Sequence, residues 1–264
     1  MSTRTVVVVP CYNEARRLVM DRFLELARSG AVTVLFVDDG SRDATRAILE
    51  TAVAQEPGLL SLLVLARNSG KAEAVRRGML AGIAMGADVV GFLDADGATP
   101  PMEMLRLRGF LDSWPADAVI GSRVRLLGLD IRRRAARHYA GRVLATYVSQ
   151  IVLELPVYDT QCGAKLFRRL PALDAALARP FLTSWVFDVE LIGRLRFGTG
   201  GEPPLPFGDI VEIPLLQWVD IPGSKIRFGS GIRAVIDLSR LALIFRRARR
   251  LYGSYTTRPQ RFQP

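Results

Sequence analysis

The architecture is most legible in two stretches, TVVVVPCYNE at residues 5–14 and VTVLFVDDGSRDA at residues 32–44. Each is a β-branched apolar run that stops abruptly in polar, acidic or glycine-bearing residues. Unbroken apolar runs of this length suit strands covered on both faces. Leu59–Leu65 and Asp88–Leu93 repeat the pattern. Between them lie longer stretches of helical character, Glu14–Arg28, Asp43–Gln55 and Gly70–Met85. Strands alternating with helices predict βαβ units, and so an α/β fold with a mostly parallel sheet flanked by helices. Ser41 and Asp43 stand where the helix after the second strand needs an N-cap. Gly86 stands where the helix from Gly70 needs a terminal glycine.

The second half is less regular. Asp159–Phe167 and Val211–Leu216 read as strands, Arg132–Leu155 and Val186–Arg196 as helices. Gly198–Gly208, rich in Gly and Pro, reads as a loop. The 264 residues suit one large α/β domain, or one domain with a small appendage. The expected division is residues 1–228 for that domain, 229–252 for a basic amphipathic helix and 253–264 for a loose tail. The longest uncharged stretch, Val143–Leu153, falls well short of the roughly 20 apolar residues of a spanning helix. The apolar run at Val6–Val9 is too short for a signal peptide. Cys11 and Cys162 imply no disulfide framework and fit a reducing cytoplasm.

In open α/β sheets ligands bind at the carboxyl ends of the strands. The first strand runs into Pro10-Cys11-Tyr12-Asn13-Glu14, the second into Asp38-Asp39-Gly40-Ser41-Arg42-Asp43, and the fourth into Asp94-Ala95-Asp96-Gly97. Taken singly, each cluster could be no more than a turn. Carboxylates at three neighbouring strand ends repel one another unless a cation or donors neutralise them. A hard cation such as Mg²⁺ or Mn²⁺, shared between carboxylates and a substrate diphosphate, matches that donor set.

These motifs, in this order, resemble a family-two glycosyltransferase of the GT-A fold. The resemblance continues through Asn68-Ser69-Gly70-Lys71-Ala72, Gly121-Ser122-Arg123 and Asp159-Thr160-Gln161-Cys162-Gly163-Ala164-Lys165. It ends with Phe187-Asp188-Val189-Glu190-Leu191 and Gly223-Ser224-Lys225. Within the family, the segments at Asp94, Asp159 and Gly223 are similar to dolichyl-phosphate glucosyltransferases and polyprenyl-phosphate mannose synthases. Such enzymes move a hexose, with inversion, from a nucleotide diphosphate to a polyprenyl phosphate. The resemblance implies UDP-glucose as the favoured donor, GDP-mannose as a possible one, and dolichyl or undecaprenyl phosphate as acceptor. A hydroxyl of a glycolipid or glycan is the alternative acceptor.

The resemblance also implies site roles. Pro10, Tyr12, Glu14 and Asp39 would hold base and ribose, with Gly70 and Lys71 nearby. Asp94 and Asp96 would meet the ribose and the metal-bound diphosphate, Asp96 being counted as catalytic. Arg123 would take the acceptor phosphate, because its planar fork suits phosphate oxygens, and Lys225 and Arg227 would close over the site. Asp159 is the carboxylate expected beside the acceptor, a base only if the acceptor is a hydroxyl. Asp188 and Glu190 read as helix-start residues, and His138 as an interfacial or surface side chain.

The net charge of +10 is unevenly placed. Gly121–Arg142 carries +6 and the segment from Gly223 to the end +9, leaving −5 on the rest. From Ile232 to Tyr252 a stripe of Ala234, Leu238, Leu241, Phe245, Ala248 and Tyr252 alternates four and three apart, with arginines around it. That pattern predicts a helix lying in an anionic membrane interface, the alternative being a C-terminal helix docked on its own domain with its arginines facing water. Val143, Leu144, Tyr147, Val148 and Ile151 predict a second apolar face after the first arginine cluster. The expected location is thus cytoplasmic and peripheral, on the inner face of the membrane. Net charge alone suggests nucleic acid; the aromatic and basic interleaving of RNA modules is missing, so no nucleic-acid partner is expected.

Overall fold

The computed structural model describes residues 3–132, 145–221 and 230–252. The expected strands form where the apolar runs lie: β1 (Thr5–Cys11), β2 (Thr33–Asp38), β3 (Leu60–Val64) and β4 (Val89–Leu93). The helices between them are α1 (Met20–Arg28), α2 (Thr45–Gln55) and α3 (Lys71–Ala84). Then follow α4 (Glu103–Ser113), β5 (Ala118–Ser122), β6 (Asp130–Arg132), β7 (Ala164–Arg168), α5 (Pro171–Ala178), α6 (Phe187–Phe197), β8 (Ile210–Pro214), β9 (Gln217–Val219) and α7 (Ser230–Tyr252).

Seven strands make one sheet in the order β3-β2-β1-β4-β7-β5-β8. Only β7 runs antiparallel, inserted between β4 and β5. Both faces are covered, which is why the strands need no polar alternation. On β1, Val7 and Val9 face a core shared with α1, α2 and α4, while Val6 and Val8 face one shared with α3, α5 and α6. A third core gathers Val148, Val152 and Leu153, the other side of α6, and α7. The pair β6–β9 forms a separate small sheet.

Several expectations change in the second half. The strand expected at Asp159–Phe167 shortens to β7, so Asp159–Gly163 is irregular backbone. The helix expected at Arg132–Leu155 does not begin at Arg132, which ends β6; Val148–Leu153 is a π-helical turn closed by Glu154 in the left-handed region. Val148 is buried there while Ile151 faces out. The first helix starts at Met20 rather than Glu14, after a turn in which Arg17 and Leu18 donate to the Glu14 carbonyl. Ser41 and Asp43 do not cap α2 in the usual way. Ser41 Oγ accepts from Asn13 N (3.0 Å), and Asp43 accepts from both the amide and the hydroxyl of Thr45. Gly86, at φ +83°, does close α3 as expected.

The largest correction concerns α7. Ala234, Leu238, Leu241 and Phe245, expected to face lipid, are buried against α6 and the π-helical turn, with Ala248 partly buried beside them. Phe245 stacks on Phe197 at 5.3 Å between centroids. The helix satisfies its apolar stripe on its own domain. No helix among the described residues is long and apolar enough to cross a membrane. Lys225, Arg227 and His138, with most of the first arginine cluster, lie outside the described residues.

Candidate active site

The ends of β2, β1 and β4 are neighbours in the sheet, so the three acidic motifs meet in one place. The first two are laced together by backbone and side-chain hydrogen bonds. Asp39 N donates to Cys11 O (2.8 Å), Arg42 N to Asn13 Oδ1 (2.8 Å), and Glu14 N to Thr45 Oγ1 (2.7 Å). Asn13 sits at φ +52°, a conformation Asn tolerates better than most residues. Tyr12 is half-buried and Glu14 buried, its carboxylate gripped by Arg17 Nε and Nη2 at 2.8 and 2.6 Å. Pro10 sits within β1 beside Val37.

Asp39 is buried, and its two oxygens accept the amides of Ser69 (2.7 Å) and Gly70 (2.8 Å). Burial pushes its carboxyl above the ordinary range, the two amides opposing. Asp39 therefore shapes the loop that starts α3. Gly70 takes φ +89° there and delivers Lys71 to the site. Lys71 Nζ lies 2.5 Å from Asp94 Oδ1. Burial alone would lower the Lys71 pKa, but Asp94, Asp188 and Asp96 together raise it, so it stays charged.

Asp94 leans on Gly163: a β-carbon there would stand 2.2 Å from the Asp94 carboxylate, so only glycine fits. Asp94 N also donates to Gly163 O (3.0 Å). Asp96 accepts from Ala98 N (3.1 Å); burial and then Asp94 raise its pKa, against the pull of Arg17 and Lys71. Two hard carboxylates, one of them paired with Lys71, fit a cation that a diphosphate would share. Among the described residues no three His, Cys, Asp or Glu side chains cluster to hold a metal alone. The remaining ligands would have to come from substrate and water.

Across β7, Arg123 follows the end of β5. Asp159 holds it bidentately, Nε to Oδ2 at 2.6 Å and Nη2 to Oδ1 at 2.7 Å, and also accepts the Arg123 amide at 3.0 Å. The guanidinium lies over Trp218, 5.4 Å from the ring centroid. Burial would lower its pKa, but Asp159 raises it well above the ordinary value. The structure thus pairs two residues expected to act separately. Beneath them, burial pushes the Cys162 thiol up to about 12, so it is an unreactive packing group.

A family model of glycosyl transferase family 2 matches residues 6–172. The chain belongs to glycosyltransferase family 2. It is a glycosyltransferase, and its relatives narrow the subgroup. Dolichyl-phosphate beta-glucosyltransferase from Drosophila melanogaster is 34% identical over 243 residues, 83% of this chain and 68% of the relative. The Homo sapiens enzyme of the same name is 34% identical, covering 94% of this chain and 76% of its own. Polyprenol monophosphomannose synthase from Mycolicibacterium smegmatis is 28% identical, covering 90% of each chain. Among solved structures, glucosyl-3-phosphoglycerate synthase from Mycobacterium tuberculosis, determined with Mn²⁺ and UDP-glucose, superposes with a TM-score of 0.64. It is 20% identical, over 91% of this chain and 79% of that one. That likeness establishes the GT-A fold.

Four structural participants are absent from the sequence-based site: Arg17 on Glu14, Trp218 under Arg123, Lys165 and Glu212. Lys165 is wholly buried and joins Asp188 Oδ1 at 2.5 Å, bonding also to the Cys162 carbonyl. Glu212 accepts the amides of Tyr158 and Asp159, each at 2.7 Å. Glu212 carries a signal that could have been read, a lone charge inside an otherwise apolar strand, and Lys165 a weaker one, a charge inside a strand that ends in Arg168. Asp188 and Glu190, expected at a helix start, do sit in the first turn of α6. Glu190 accepts the Leu182 and Thr183 amides there.

Proposed function

We propose that this family-two enzyme transfers a hexosyl group, glucose by preference, from a nucleoside diphosphate to a polyprenyl phosphate, with inversion. The carrying observation is the pairing of Arg123 with Asp159 across from Asp94 and Asp96. One side of the cleft has the donor set of a metal-bound diphosphate, the other a cation built for an oxyanion. Asp159 takes the Nε/Nη2 edge of the guanidinium, which leaves Nη1 to meet a phosphate oxygen. With its carboxylate engaged on Arg123, Asp159 is poorly disposed to act as a base, and a phosphate acceptor needs none. An acceptor oxygen attacks the anomeric carbon from the face opposite the leaving group. The new C–O bond forms as the bond to the β-phosphate oxygen breaks, and the electron pair leaves on the nucleoside diphosphate. Asp94 and Asp96 would hold a Mg²⁺ or Mn²⁺ ion, which when bound offsets charge on that leaving group. Lys71 and Arg17 surround the same position with positive charge. Asp39 fixes the loop before Lys71, while Pro10, Tyr12 and Glu14 line the base-binding side. Lys225 and Arg227 belong to the acceptor side in this reading.

The relatives' names support a lipid-linked acceptor, which implies work at an anionic membrane surface on the cytoplasmic side. The buried stripe of α7 cannot make that contact. Its outward face carries Val235, Ile236, Leu243, Ile244 and Leu251 among exposed arginines, and this face is the one read as meeting lipid.

The test is to supply UDP-glucose or GDP-mannose with a short polyprenyl phosphate or a free polyprenol. Lipid-phosphate-linked sugar of inverted configuration, lost on chelation and restored by Mn²⁺ or Mg²⁺, is expected with the phosphate alone. Product formed only on the hydroxyl acceptor would overturn the reading. Asp96→Ala should lower metal-dependent donor affinity by about 10–150-fold, the scale of a charge-assisted contact, as read by calorimetry.

A further inference from the structure

We propose that Glu212, on β8, is a positioning residue that sets the acceptor side of the site through the Asp159 backbone. Glu212 is bonded to backbone amides rather than to a side chain assigned to donor or acceptor. Its carboxylate reaches from the edge strand to two consecutive amides, Tyr158 N to Oε2 and Asp159 N to Oε1, both at 2.7 Å. Those amides belong to irregular backbone before β7, where no sheet ladder holds them. The Ser122 hydroxyl, buried and with no other partner, faces the same carboxylate. Glu212 is in register with Ile120 on β5, two residues before Ser122 and three before Arg123. One side chain thus ties the end of β5 to the Asp159 segment.

The consequence passes along bonded groups. Asp159 fixes Arg123 through three hydrogen bonds at 2.6–3.0 Å, and Arg123 in turn lies on Trp218. Moving the Asp159 backbone swings the carboxylate on which the guanidinium rests. The far end of the same segment is held differently, by Lys165 on the Cys162 carbonyl, and there Gly163 carries Asp94. Loss of Glu212 therefore loosens the acceptor end while the donor end stays anchored. A carboxylate suits the task because it offers two acceptors to two adjacent N–H groups, whereas an amide must turn a donor toward one of them.

This inference rests on the reading of Arg123 as the acceptor-side cation, and the experiment separates the two. Glu212→Gln and Glu212→Ala are compared with wild type for acceptor KM, donor KM and donor binding without acceptor. The acceptor KM is expected to rise at least about tenfold and the donor constants to stay within about twofold, since the lost contacts are charge-assisted and on one side only. The pair Glu212→Gln with Asp159→Asn is expected to be no worse than Asp159→Asn alone, because both act on one path. Equal rises in both constants, or multiplicative effects in the double variant, would overturn the proposal. A second readout needs no turnover. In a Trp114→Phe, Trp185→Phe background Trp218 is the sole indole, and Glu212→Gln should change its emission in the same sense as Asp159→Asn. An unchanged emission overturns the proposal even if the acceptor proves not to be a lipid phosphate. A changed emission with no lipid-linked product sinks only the functional reading.

Discussion

At the scale of single residues, Gly163 lies against the Asp94 carboxylate with no space for a β-carbon. Gly163→Ala places a methyl group into the Asp94 carboxylate. Overpacking of this kind costs about 1–3 kcal/mol, so a fall in Tm is expected together with weaker donor binding, measured by calorimetry with a uridine nucleotide and Mn²⁺. Unchanged donor affinity would mean that Asp94 can move aside without loss. Glu212 makes a prediction in pH. Burial raises its carboxyl above the ordinary range, with the neighbouring Asp159 adding to the rise and the Tyr158 amide, Ser122 hydroxyl and Asp159 amide opposing it. Protonation removes one of the two acceptors its amide partners require. The acceptor KM should therefore climb as pH falls through that raised pKa, and Glu212→Gln should flatten the limb. Stability runs the other way: a raised carboxyl contributes stability that is full below its unfolded value and lost as pH rises through the folded one. An acidic limb that persists in Glu212→Gln assigns the titration to another group.

At the scale of elements, α7 decides most. Its sequence shows one apolar stripe and a scatter of apolar residues between arginines, and periodicity selects the stripe. The domain buries that stripe, so Phe245→Ala should cost about 3–5 kcal/mol by thermal or chemical denaturation, as a large aromatic leaving a packed core does. Gly193 on α6 exists for this contact, since a β-carbon there would collide with the Phe245 ring. Leu243, 60% exposed on the other face, behaves oppositely. Leu243→Glu should change stability by no more than about 0.5 kcal/mol, as ordinary surface substitutions do, yet weaken cosedimentation with anionic vesicles. Equal vesicle binding by this variant would remove the outward face as the lipid contact. Deleting the helix is a poor test of anchoring, because it opens the third core.

At the scale of the whole molecule, a body of negative balance carries two basic zones, one inside the chain and one toward its end. An anionic surface attracts each basic residue by about 1 kcal/mol, and salt screens this within a Debye length of about 8 Å at physiological strength. The outward leucines and isoleucines of α7 add a part that salt does not screen. Vesicle binding should therefore weaken steeply with added salt and level off above zero, read by cosedimentation across a salt series. Complete release at high salt would reduce the contact to charge alone.

The order of the amino acids makes legible the alternation of strands and helices in the first half and the gathering of three acidic motifs at strand ends. It also carried the family. These are local or ordered features: β-branching and apolar runs report on backbone state, and a turn after a strand must fall at a strand end. The insertion of β7 between β4 and β5, the grip of Asp159 on Arg123 and of Glu212 on Asp159, and the inward turn of α7 emerge from long-range packing. Arg123 and Asp159 are 36 residues apart, and Glu212 a further 53 along the chain. A charge in sequence states what it needs, a counter-charge or a donor, without stating which distant group supplies it. An apolar stripe likewise states that it must leave water, and lipid and protein core satisfy it equally; the choice between them belongs to whatever surface the fold brings near.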